Sequence, residues 1–224
     1  EHADLLRSSI TSINNDYRLG ANEAPPAIIS IFLGSQLSEV LDEIETARIS
    51  KKIKEDNALW LGIPKIPSIL QDNTDRNRTS PFAFTGNKFE FRAVGSSANS
   101  SAPMTILNTI VADQLIAFKT DVNKLIKKGD KKDIAILTVL KRYIKESKDI
   151  RFEGNGYSES WEKEAKSRGL SNVKTTPQAL DADVSEKTMA LFERTRVFSK
   201  REAHARYEIR LESFYKKMKI ESRV

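Results

Sequence analysis

Apolar residues recur at helical spacing along most of the chain and at strand spacing in one stretch. ADLLRSSITSI, residues 3–13, has short helical spacing. NNDYRLGANEAPP then breaks any helix, through Gly20 and the Pro25-Pro26 pair. IISIFLG is an apolar run that periodicity assigns to neither strand nor helix. In QLSEVLDEIETARISKKIKE, Leu37, Val40, Leu41 and Ile44 share a face and predict an amphipathic helix. IPKIPSILQDNTDRN reads as an ordered loop. NRTSPFAFTGNKFEFRAVG predicts two short strands joined around Thr85-Gly86-Asn87. In the second strand Lys88, Glu90 and Arg92 alternate with Phe89 and Phe91, so the phenylalanines are expected in a core with the charges on the other face.

Helical spacing returns after the hairpin. SSANSSAP is a polar turn ending in a serine cap with Pro103 near the first helical position. MTILNTIVADQLIAF is apolar nearly all round, which predicts a helix inside a larger domain. DVNKLIKKGDKKDIAILTVLKRYIKES reads as helix, Gly129-Asp130 turn, helix. SWEKEAKSRG is a short helix closed by Gly169, and TTPQALDADV starts another at Pro177. From Ser185 onward one or two long helices are expected, with Tyr207, Leu211, Phe214 and Met218 forming a seam. The change of character after Phe118 suggests two parts, residues 1–118 and residues 119–224.

Composition narrows the field. The chain has 224 residues, 39% hydrophobic and 30% charged, as expected of a globular protein. No run of eighteen apolar residues is found, and a cytoplasmic location is the expectation. Cysteine is absent, which excludes disulfides and thiolate catalysis. Residues 186–224 hold 11 of the 37 basic residues and 6 of the 31 acidic ones, so the net charge of +6 resides largely in the last helical stretch. Its charges are mixed in sign and carry no aromatic–basic recognition motif, so packing or subunit contact is expected there rather than nucleic acid or membrane binding. His2 and His204 are isolated and expected at the surface, and no phosphate loop, zinc cluster or serine triad can be assembled. The charged strand face stays open to two readings: a solvated ladder, or a site in which one glutamate among cations shares a metal and an anionic phosphate.

Four motifs in order carry a resemblance. Arg18-Leu19 with Asn22-Glu23-Ala24-Pro25, then Asn77-Arg78-Thr79-Ser80, then Lys88-Phe89-Glu90-Phe91-Arg92, then Ser97-Ala98-Asn99 resemble the C-terminal signatures of glutamine synthetases. TGNKFEFRAVGSSANSSAP and RLGANEAPPAI are most similar to the large bacterial variety, type III, and the likeness covers essentially the whole chain. The resemblance implies an α+β fold. Residues 1–118 would form the C-terminal half of a catalytic domain, with part of an antiparallel sheet lining a funnel-shaped site and an inserted helix within residues 26–76. Residues 119–224 would form a helical extension. It further implies ATP-dependent ligation of ammonium to L-glutamate through γ-glutamyl phosphate, with Mg2+ or Mn2+, in a ring-shaped homo-oligomer, a dodecamer.

The implied roles go residue by residue. Glu90 matches a metal-ligand glutamate on the metal bridging the ATP phosphates. Arg92 matches an arginine contacting the substrate carboxylate and the phosphoryl group. Lys88 stands on the nucleotide side where an arginine is usual, keeping the charge without the bidentate fork. Arg78 matches an arginine that meets the ATP phosphates, Arg18 a glutamate-binding arginine, and Glu23 a flap glutamate that closes the site and helps form the ammonium pocket. A second arginine of the usual pattern is missing, and Ala83 cannot replace it. The family's other metal ligands would lie before Glu1, so this segment of a longer protein is expected to be inactive alone. The competing reading is a non-catalytic helical module for interaction or assembly.

Overall fold

The computed structural model describes residues 1–16, 18–19, 24, 26–46, 80–93, 95 and 98–222. The loop expected over IPKIPSILQDNTDRN, Glu23 and Arg78 lie outside the described residues. Among those described, helices dominate a small mixed sheet. The order is α1 (Ala3–Ser9), α2 (Ile13–Asp16), β1 (Ile31–Phe32), α3 (Ser35–Thr46), β2 (Phe82–Phe84), β3 (Phe89–Phe91), α4 (Ser101–Lys127), α5 (Lys132–Glu146), α6 (Glu159–Ser167), α7 (Thr176–Leu180), α8 (Glu186–Thr195) and α9 (Lys200–Glu221). Two 3-10 turns, Lys148–Ile150 and Asp181–Val184, precede α6 and α8.

The sheet meets expectation in part. β2 and β3 form the antiparallel hairpin, with Phe82 opposite Phe91, Ala83 opposite Glu90 and Phe84 opposite Phe89. The Thr85 N–H donates to the Lys88 carbonyl at 2.9 Å, and Gly86 takes φ +93°, a backbone that favours glycine. β1 corrects the wholly antiparallel expectation: it pairs parallel to β2, Ile31 with Phe82 and Phe32 with Ala83. A parallel partner needs a crossover, and the chain between β1 and β2 includes α3. A parallel bridge from Ile31 to Arg151 then extends the ladder, with the Phe152 N–H donating to the Ile31 carbonyl at 3.0 Å. The mainly helical second part thus supplies an edge to the sheet of the first.

The phenylalanines are the second correction. Phe82, Phe84, Phe89 and Phe91 share one face, with Phe82 stacked on Phe89 at 5.6 Å between centroids. Phe91 packs against the main core of Leu5, Leu6, Ile106, Leu191 and Phe192, but Phe89 at the turn end stays 49% exposed. Three-residue strands are too short to bring both rings under the same core. The helix expected to be wholly enclosed is also only partly covered. α4 packs against α1, α8 and α5 and buries Ile106, Thr109 and Val122, whereas Val111, Leu115 and Ile116 are exposed. His204 is exposed as expected, whereas the His2 side chain is largely covered and lies 4.0 Å from Asp113.

α3 holds the expected face, with Leu37, Val40, Leu41 and Ile44 half-buried and the helix packed against α5. α8 and α9 are separate helices, parted where Arg196 turns left-handed at φ +56°. Ser199 restarts the chain with a capping box, its hydroxyl accepting from the Glu202 N–H and the Glu202 carboxylate accepting from the Ser199 N–H. Along α9, Tyr207, Leu211 and Phe214 are half-buried and Met218 is exposed.

One carboxylate fastens the sheet end of α3. Glu153 accepts from the Leu33 and Gly34 N–H groups at 3.2 and 3.1 Å and from the Ser38 hydroxyl at 3.1 Å. It serves as an N-terminal cap supplied from over a hundred residues away. Glu153→Ala is expected to cost about 1 kcal/mol, the usual scale of a lost cap. Urea unfolding measures the loss, and hydrogen exchange should speed up at Gly34 before it does in α5.

Candidate functional site

The sheet's second face carries the candidate chemistry. With Ala83 fully buried opposite it, Glu90 points away from the phenylalanine face, and its side chain is 37% exposed. Lys88 Nζ lies 3.2 Å from Glu90 Oε1, and Arg92 Nη2 lies 3.4 Å from Glu90 Oε2. The hydrogen bond from the Lys88 ammonium, with Arg92 adding to it, holds the Glu90 carboxyl below the usual carboxylate range. The strand period thus brings three of the six expected residues into one contiguous row, and that row is ion-paired.

The fourth described residue, Arg18, stands on a different element. It follows α2, where its N–H donates to the Asn15 carbonyl at 3.2 Å and the Leu19 N–H donates to the same oxygen at 2.9 Å. Leu19 and Ala24, which flank Glu23 in the sequence, are joined by a parallel bridge. Asn15 is itself fixed, fully buried with its amide donating to the Ile10 carbonyl. Below it, Asp16 accepts from the Thr176 N–H and hydroxyl at 2.9 and 2.7 Å, tying the end of α2 to α7.

Sequence reasoning missed two supporting groups here. Arg7 is 2% exposed, donates through Nε to the Val173 carbonyl, and has no hydrogen-bond partner for either terminal nitrogen among the described residues. Its burial lowers the guanidinium's proton affinity, with Asp16 opposing. Ser8, Asp183 and Arg210 form the other group. The Ser8 hydroxyl donates to Asp183 Oδ1 at 2.6 Å, while Arg210 donates to Asp183 Oδ2 at 2.5 Å and to the Ser8 carbonyl at 2.6 Å. Burial pushes the Asp183 carboxyl up, against the pull of Arg210. The partners lie 175 and 202 residues apart, and no local pattern signals such contacts.

An ionised carboxylate between two cations is suited to an oxygen-seeking divalent ion and to the phosphate or carboxylate oxygens beside it. Among the described residues no three His, Cys, Asp or Glu side chains gather, so Glu90 fits as one ligand of a shared site rather than as a complete one. No helix among them is long and apolar enough to cross a membrane.

Comparison with known proteins decides the kinship. Residues 135–224 match the profile of the glutamine synthetase C-terminal domain. A glutamine synthetase of Bacteroides fragilis (strain YCH46) is 53% identical over 226 residues, covering 100% of this chain. The chain belongs to the glutamine synthetase family. A type-3 glutamine synthetase of Dictyostelium discoideum is 45% identical over 99% of the chain, and a glutamine synthetase of Butyrivibrio fibrisolvens is 41% identical over 99%. The chain spans about 30% of the length of these curated relatives: 31%, 30% and 31% respectively. The glutamine synthetase C-terminal match falls on α5 to α9, outside the strand row.

Proposed function

We propose that this chain supplies one wall of the active site of a glutamate–ammonia ligase, which forms glutamine from glutamate, ammonium and ATP through γ-glutamyl phosphate. The observation that carries the reading is the ionised Glu90 carboxylate bracketed by Lys88 and Arg92 on a single strand face. Magnesium or manganese, when bound with Glu90 among its ligands, neutralises charge on the transferring phosphoryl group. Lys88 and Arg78 face the nucleotide phosphates. Arg92 and Arg18 hold the glutamate carboxylates, and Arg92 also stabilises charge on the phosphoryl oxygens. Glu23 closes the site as a flap residue, excludes water from the acyl phosphate and accepts a proton from ammonium. Residues 1–118 carry this machinery, and residues 119–224 buttress it within a ring-shaped homo-oligomer in the cytoplasm.

A coupled ATPase and glutamine-formation assay tests the reading. The whole protein is expected to be active, and residues 1–224 alone to give no glutamine, because a single metal-ligand glutamate cannot hold the ions that phosphoryl transfer requires. Glutamine formation by the segment would sink the claim that it is only one wall. A second reading, a non-catalytic assembly module, is favoured by the engagement of both Glu90 oxygens with neighbouring cations. It predicts that changing Glu90 disturbs folding or assembly instead of turnover.

A further inference from the structure

A cleft of about 600 Å³ opens between the first turns of α4, the corner joining α8 to α9, and the exposed side of α9. That volume lies within the range of small-molecule sites, and the division of its walls suits one. The floor is apolar: Ile106, Phe192 and Ala203 are buried, and Phe198 meets Phe192 edge to face at 5.1 Å. Val197 and Phe198 follow Arg196, which has the one left-handed backbone found at a non-glycine among the described residues. Such a conformation is disfavoured for a residue with a side chain and persists where the surroundings enforce it.

The charge of the cleft is asymmetric. Arg206 lies over the Phe198 ring, its guanidinium carbon 4.5 Å from the centroid, and makes no ion pair among the described residues. Two acids lie nearby. Glu202, one turn back on α9 and outside the lining, accepts from the Ser199 N–H and hydroxyl in the capping box and keeps its charge, which acts on Arg206. Asp183 is neutralised by Arg210 and held by Ser8. Among the lining residues Arg210 and Asp183 cancel, which leaves Arg206, set beside an aromatic face, as the remaining lining charge; the hydroxyl-bearing residues Ser101 and Thr105 line the opposite wall.

We propose that this cleft binds a small organic carboxylate with a planar apolar body: the carboxylate on Arg206, the body against Phe192 and Phe198. An aromatic carboxylic acid has this chemistry. A cation would meet Arg206 as a like charge. The site is separate from the Lys88–Glu90–Arg92 row and does not depend on what that row does.

The whole protein, titrated with 2-naphthoate, naphthalene-2-methanol and 2-naphthylmethylamine, tests the proposal. Ile209→Trp places a fluorescent reporter at the exposed rim without touching the floor. Naphthoate is expected to change its emission saturably, and the uncharged alcohol to bind about tenfold more weakly, the scale of one charge-assisted contact. Arg206→Leu, a change at an exposed position, should weaken naphthoate about tenfold and leave the alcohol as it was. No saturable change with naphthoate overturns the site. Unchanged naphthoate binding in Arg206→Leu, or tighter binding of the amine than of naphthoate, overturns the assigned ligand class.

Discussion

Replacing Glu90 by alanine is expected to abolish ATP-dependent glutamine formation by the whole protein while leaving its assembly and unfolding temperature nearly unchanged. The two halves of that expectation rest on different facts. The ion pairs of Glu90 with Lys88 and Arg92 are partly exposed, and such pairs contribute little to stability. The buried residue opposite, Ala83, keeps its contacts on the other side of the hairpin. In turnover, by contrast, a metal ligand lost at a phosphoryl-transfer centre removes charge stabilisation that nothing else on the strand can supply, because Lys88 and Arg92 are both cations. A fall of at least about a hundredfold is the expected scale. Glu90→Gln keeps the shape and removes the charge, so it should fall nearly as far. Activity within a factor of about two of the parent in either variant would overturn the metal-ligand role. Loss of activity accompanied by loss of assembly would favour the structural reading instead.

Trp161→Ala should produce the largest loss of stability, about 3–5 kcal/mol. Trp161 is 2% exposed and packs with Ile28, Ala165 and Leu170. Its ring lies nearly parallel to Phe152, with centroids 3.6 Å apart, and the Arg168 guanidinium sits 5.5 Å from it. The damage should spread to the sheet, since Phe152 donates its N–H to Ile31 and Ile31 pairs with β2. Urea denaturation gives the loss, and hydrogen exchange at the Phe152 amide should quicken along with it. Trp161→Phe retains a stacked ring and should cost roughly half as much. A loss below about 1 kcal/mol for the alanine variant would show that this cluster is not a core.

Features with local causes were legible in the sequence. The period-two alternation from Lys88 to Arg92 placed three charges in a row, Gly86 marked the turn, Gly129 and Gly169 ended helices, and Leu37 to Ile44 outlined a face. Features with distant causes were not. The parallel pairing of β1, the Glu153 cap on α3 and the Ser8–Asp183–Arg210 group join residues 51 to 202 positions apart. Phe89 and the exposed flank of α4 were misjudged for a related reason. Periodicity shows which residues share a face, but not whether anything covers it. The candidate site divides in the same way. Pattern alone leaned to a solvated ladder for the strand row, and the roles given to its members came from resemblance across four motifs. Arg18 belongs to a different element from the row, while Glu23 and Arg78 fall outside the described residues.

The way α1 is held bears on the order in which the molecule can assemble. Leu5 and Leu6 join a core completed by Leu191, Phe192 and Ala203, and Ser8 is fixed by Asp183 and Arg210. Every one of these partners emerges from the ribosome some 175 to 200 residues after α1 does. Closing so long a loop costs only about 0.6 kcal/mol more for each doubling of its length, so the finished contact is not weak. The burden is kinetic: α4, with Ile106, can cover part of α1 earlier, but the core is completed only when α8 and α9 have been made, and contacts of such high order form slowly. α1 therefore completes its packing late in the folding of this segment, and a pause or truncation before α8 would leave that core open.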